Sequence, residues 1–207
     1  MPLADEFFLL AHNSTGKPRL SLSSLSLGLA AALLAELILE RRIALAGSEL
    51  RVVDDIPPAD ALAHTVLNQI MTEPSSHPVR SWLDYLGKDA RERVGQRLER
   101  AGLVRWEASR RPWGKSVRYE PTDVNRTAAN WARLSTMLRR AEPMHPLDIL
   151  LSGLALVSGL DGYLLEDGRG PAHRYMLQIV STLPPQLREL LNQTEAAVGD
   201  AVLSYRT

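Results

Sequence analysis

No cysteine occurs among the 207 residues. That excludes disulfides and thiolate metal sites, and it makes a reducing cytosol the simplest setting. No run of uncharged residues is long enough to read as a membrane span. The longest, Leu20 to Ala35, contains Ser21, Ser23, Ser24, Ser26 and Gly28 and meets Glu36 at once. This pattern predicts a buried core helix. The N-terminus lacks a basic segment and carries Asp5 and Glu6 before its first apolar run, so no secretory signal is expected. There is no net charge either. With 45% hydrophobic residues, the length suits one domain spanning 1–207 with a sizeable core.

The zero net charge hides a division. Between Arg80 and Arg140 there are 15 Lys/Arg against 7 Asp/Glu, and the remainder holds 9 against 17. The middle segment therefore points to an anionic partner, against the simpler reading of arginines that only solvate helix surfaces.

Along the chain, FFLLAHNSTGKPRL reads as two short apolar runs around a hairpin-like turn at Asn13–Gly16. Leu27 to Ile43 is the strongest helix, apolar nearly all round and expected at the centre of the core. GSELRVVDD reads as a short strand, and Asp60 as the cap of a helix reaching about Met71. Trp82, Leu83, Tyr85 and Leu86 mark a short helix. The next, from about Lys88 to Ala101, puts Val94, Leu98 and Ala101 on one side and Arg93, Arg97 and Arg100 on another, with Gly102 as its stop. LVRWEAS and SVRYEP read as strands joined by Arg110-Arg111-Pro112-Trp113-Gly114-Lys115. Four helices are expected beyond Asp123. The fold class is therefore mainly α, one helical domain with short β-hairpins.

Catalytic patterns are missing. The five histidines at 12, 64, 77, 145 and 173 are scattered, and there is no phosphate-cradling loop, dinucleotide fingerprint or nucleophile elbow. Asp54-Asp55 and Glu166-Asp167 lie beside turn residues, where capping and solvation explain them. No catalytic residue, metal or cofactor is expected.

What remains is the basic helix followed by a basic hairpin tip. It offers guanidinium forks for phosphate oxygens and, at Trp113, an aromatic suited to a headgroup boundary. Nearby cations add on the order of 1 kcal/mol each at an anionic leaflet. The same helix–strand–loop–strand order also describes a winged-helix nucleic-acid binder. A third reading is a pure interaction module whose acidic remainder recruits a basic peptide. The residues alone leave membrane and duplex level.

The run GLAAALLAELILERRIAL (Gly28 to Leu45), followed by VVDD (Val52 to Asp55), the Trp82 helix, ARERVGQRLERAGLV (Ala90 to Val104) and HPLDILLSGLALVSGL (His145 to Leu160), resembles the Golgi phosphoprotein 3 family. The likeness covers nearly the whole chain. It implies a non-enzymatic peripheral membrane protein that binds anionic phospholipid, phosphatidylinositol 4-phosphate or a similar phosphoinositide. It also implies an adaptor role toward cytosolic tails of membrane proteins and a place on the cytoplasmic face of a membrane. No nucleic-acid partner is then expected, and a homo-oligomer is left open. The compact chain resembles bacterial members, so a Golgi role does not carry over. The family's two phosphate-pocket cations fall on Lys88 and Arg91. Its pocket tryptophan and a further arginine fall on Ser21 and Ala30, where this chain departs from the pattern. The membrane-contact loop falls on Arg110, Arg111, Trp113 and Lys115.

Overall fold

A central apolar helix takes its place because almost every side of it is hydrophobic. In the computed structural model, residues 1–73, 77–111, 114–165 and 170–204 are described, apart from the side chains of 108–111, 114–116 and 126. Helix α2 (Leu22–Leu39) begins at Ser21, whose side chain accepts from the Ser24 amide. The sequence placed this start near Leu27. The serines form the cap and first turn instead of a loop, which is the job their short hydroxyls do best. The C-terminal bound also moves, because Ile43 belongs to a strand. Leu25, Leu29, Leu33, Leu34 and Leu37 are fully buried. By length and composition α2 would suit a membrane, with a mean hydropathy of 2.0, yet 72% of it is buried inside the fold.

Its neighbours come from the whole chain. Helix α1 (Leu3–Leu10) lies against α2, as do α3 (Ala61–Thr72), α4 (Val79–Gly87), α5 (Ala90–Arg100), α7 (Pro146–Ser158) and α10 (Pro185–Ser204). The helical state of α1 corrects the expectation of an extended run. Phe7 and Phe8 are fully buried, and the Ala4 amide donates to Glu36 Oε1 at 2.8 Å, so tertiary contacts decide its conformation. The turn at 13–16 is present: Asn13 Oδ1 accepts from Thr15 and Lys17, and an isolated bridge joins His12 to Pro18.

Two antiparallel hairpins complete the described fold. Strands β1 (Ile43–Ala46) and β2 (Glu49–Val52) pair with Leu45 opposite Leu50. Strands β3 (Val104–Arg111) and β4 (Gly114–Pro121) pair with Trp106 opposite Tyr119. Asp60 caps α3, accepting from the Leu62 and Ala63 amides, as its position predicts. Beyond α6 (Val124–Arg139), the second expected helix divides at Gly159. Its φ of +80° is the left-handed stop that glycine allows, and it separates α7 from the short α8 (Asp161–Leu165). Helix α9 (Pro171–Val180) follows. Buried apolar residues from Leu3 to Val198 form one continuous cluster.

Candidate functional site

The α4–α5 corner places the two cations singled out from sequence, though not both in one helix. Lys88 follows α4 as its C-cap, Asp89 is the N-cap of α5, and Arg91 is the second residue of α5. Lys88 is exposed, with its ammonium 5.8 Å from the Tyr85 ring centre. Arg91 is partly buried. Its Nη2 donates to the Val117 carbonyl at 2.9 Å, and its guanidinium carbon lies 5.4 Å from the Tyr119 ring centre. Burial lowers its pKa from the ordinary arginine value, with Tyr119 acting the other way. Among the described residues neither Lys88 nor Arg91 has a carboxylate partner. Asp89, next to Lys88, is held by Arg93 at 2.6 Å, and Glu92, next to Arg91, accepts from Gln96 at 3.1 Å.

The hairpin is fixed to this corner at its base. Tyr119 is 2% exposed and stands edge-on to Phe8, with centres 5.4 Å apart. Its ring fills the space above Gly95, where an added Cβ would come within 2.4 Å of the ring. Glycine is therefore needed there for the strand to approach the helix. Across the ladder Trp106 is half exposed, and with Glu92, Gln96 and Glu99 it lines a groove of about 400 Å³. Register pairs Arg110 with Lys115 and Arg111 with Gly114 at the tip. Their side chains, and the whole of Trp113, lie outside the described residues.

Arg97 is a correction. Sequence placed it with Arg93 and Arg100 on a side of α5 away from Val94, Leu98 and Ala101. Instead its side chain is 10% exposed at the meeting of four elements. Nε donates to Asp5 Oδ1 of α1 at 2.8 Å, and Nη1 to Asp60 Oδ1 at the start of α3 at 2.8 Å and to Glu36 Oε2 of α2 at 3.5 Å. Burial raises the Asp5 and Glu36 pKa values above the ordinary carboxylate range, although Arg97 pulls both down. Burial likewise disfavours the guanidinium charge, but Glu36, Asp5 and Asp60 together outweigh it and raise the Arg97 pKa. One cation shared by three acids explains why both sides are raised. Two signals in the sequence point to this arrangement. Asp5 and Glu36 interrupt apolar runs, and Arg97 falls seven residues after Ala90 and three after Val94, on the buried stripe. Arg93 also turns inward, donating to Gln69 at 3.2 Å.

The other marked positions have structural roles. Ser21 caps α2, and Ala30 is wholly buried, so neither supplies a pocket contact. Asp54 is ion-paired with Arg42 and accepts from the Ile56 amide. His145 caps α7, and His173 sits 3.2 Å from Asp161. His12 is buried, stacked on Phe8 with centres 4.1 Å apart, its Nδ1 2.7 Å from the Phe8 carbonyl. Burial above all, with Arg91 and Arg19 in support, lowers its pKa to about 4. Glu166 and Asp167 lie outside the described residues. Among the described residues no group of three or more His, Asp or Glu is placed to hold a metal ion.

The family model for Golgi phosphoprotein 3 (GPP34) matches residues 3–194, taking in α1 through the first half of α10. The chain belongs to the Golgi phosphoprotein 3 family. No curated protein matches it. Within this Golgi phosphoprotein 3 fold, the α4–α5 corner and the β3–β4 hairpin are contiguous. The acid-paired cations of α5 lie on its inner and flanking sides.

Proposed function

We propose that this Golgi phosphoprotein 3 family member is a non-enzymatic peripheral protein that binds anionic phospholipid headgroups on the cytoplasmic face of a membrane, and serves there as an adaptor. The observation that carries this reading is the pair Lys88 and Arg91, two cations without carboxylate partners on either side of a helix start. The free amides at the start of α5 add partial positive charge at the same place. Arg91 already spends one donor on Val117 and its Nε is buried, which leaves the remaining Nη N–H groups at the outer end of its fork for a phosphate. With Ser21 and Ala30 in place of the family's tryptophan and arginine, the headgroup is held by fewer contacts. Phosphoinositides are then preferred over other anionic lipids only modestly. The Arg110, Arg111, Trp113 and Lys115 tip contributes adhesion without selecting a headgroup.

Vesicle co-sedimentation over a panel of anionic lipids, beside a duplex-DNA gel shift at matched salt, tests the reading. Anionic vesicles should bind, with affinity falling as salt rises, because exposed charges are screened beyond about 8 Å at physiological ionic strength. Neutral vesicles and DNA should not. Lys88→Ala with Arg91→Ala should abolish preference among anionic headgroups and leave salt-sensitive adhesion. Arg91→Lys controls for the bond to Val117. Trp113→Ala should weaken all anionic vesicles alike. Equal losses from Lys88, Arg91 and Arg100 would leave only diffuse charge. Tight duplex binding without vesicle binding would replace the lipid with nucleic acid.

A further inference from the structure

A recess of about 270 Å³ lies between the end of α3 and the first turns of α4, and it meets the reading above only where the Tyr85 ring faces Lys88. Three rings stand around it. His77 and Trp82 meet at 73° with centres 6.4 Å apart, and Trp82 and Tyr85 at 89° with centres 5.8 Å apart. Among the described lining residues Glu73 supplies the one carboxylate, with Oε1 held 3.3 Å from His77 Nε2. Gln69, Thr72 and Ser81 complete the rim.

The lining narrows the ligand class. A carboxylate at the mouth excludes an anion. A single carboxylate among aromatic rings is a poor cage for a hard metal ion, which needs several oxygen ligands. The volume is below that of pockets for drug-sized molecules, at roughly 300–1,000 Å³. A cation with no N–H to satisfy fits all of these conditions, because aromatic faces attract it and the carboxylate balances it. The Tyr85 ring already has the Lys88 ammonium 5.8 Å from its centre. We propose that this recess binds a methylated ammonium group, either that of a small solute such as choline or that of a phosphocholine headgroup.

Full-length protein is titrated with choline chloride, following the Trp82 indole resonance by NMR, against sodium chloride at equal ionic strength. A saturable shift specific to choline is expected. Tyr85→Ala and Glu73→Gln, both at exposed side chains, should each weaken it by about five- to tenfold. Arg91→Ala, which touches none of the recess, should leave it unchanged, so failure of the anionic-lipid reading would not affect this result. Anionic vesicles with and without added phosphatidylcholine form the second arm. Tighter binding to the mixed vesicles, lost in Glu73→Gln, assigns the group to lipid, and choline binding without that gain assigns it to a solute. A response to choline no larger than that to sodium, or variants that bind as tightly as the wild type, would overturn the proposal.

Discussion

Replacing Arg97 by alanine removes a guanidinium that three acids share, and the structure sets the size of the effect. The Arg97 side chain is 10% exposed, and those of Asp5 and Glu36 are 5% and 11% exposed. Water cannot take over the lost contacts as it would at a surface pair. Breaking a buried pair in this way costs about 3–5 kcal/mol, which for a chain of this length lowers the melting temperature by about 6–20 °C. The loss should depend on pH in a defined direction. Asp5 and Glu36 already hold their protons above the ordinary carboxylate range. Without Arg97 they hold them more tightly still, and once protonated they no longer need a cation. The gap between wild type and Arg97→Ala should therefore narrow as the solution is acidified from pH 7 toward pH 5. Urea unfolding of both proteins at the two pH values measures this. Because other titrations are common to both, they cancel in the difference. Adding Asp5→Asn and Glu36→Gln to Arg97→Ala should restore part of the lost stability. A variant within about 1 kcal/mol of wild type at pH 7, or a gap that does not change with pH, would refute the reasoning.

Leu34→Ala and Leu37→Ala, both fully buried in α2, should each cost about 2–5 kcal/mol in chemical denaturation. His12, with its pKa lowered to about 4, gives stability that is complete above its unfolded value near 6.5 and lost as pH falls from there toward about 4. At 1.4 kcal/mol per pH unit the loss is at most about 3 kcal/mol. Asp5, Glu36 and Glu6, with raised values, act in the opposite direction, so the His12 effect is read as the difference between wild type and His12→Leu across that range. Gly95→Ala should push the Tyr119 ring out of place at a cost of about 1–3 kcal/mol, with faster amide exchange in β3 and β4 as the local sign.

Features that depend on neighbours in sequence were legible before any coordinates. The Asp60 cap, the Trp82 helix, the β3–β4 pair and the apolar α2 all follow from local chemistry and periodicity. The order of motifs also pointed to the Golgi phosphoprotein 3 family. Features that depend on distant partners were not legible. Helix α1 has only eight residues before a turn-forming Asn-Ser-Thr-Gly, and it is helical because Phe7 and Phe8 are buried and Glu36 receives the Ala4 amide. Arg97 was grouped with its charged neighbours by residue type, whereas its place on the Ala90–Val94 stripe decides where it points. Of the two proposed lipid contacts, Lys88 is exposed and Arg91 is partly buried. The bond from Arg91 to Val117 came as new information, because nothing in either segment alone brings a strand carbonyl to that guanidinium.

The contacts of α2 also bear on how the protein is made. Helix α2 ends at Leu39, while α10, one of the elements that covers it, begins at Pro185. A ribosome adding about 5–20 residues per second needs roughly 7–30 s to make the chain between them. Throughout that interval a helix of membrane-like hydropathy, near the N-terminus, is without part of its cover. Targeting factors that select apolar nascent segments have that time to mistake it for an anchor, and chaperones have the same time to shield it. A truncation that removes α10 makes this exposure permanent, so shortened forms should become embedded in membranes, resistant to extraction by salt, or aggregate, while the 207-residue chain does neither.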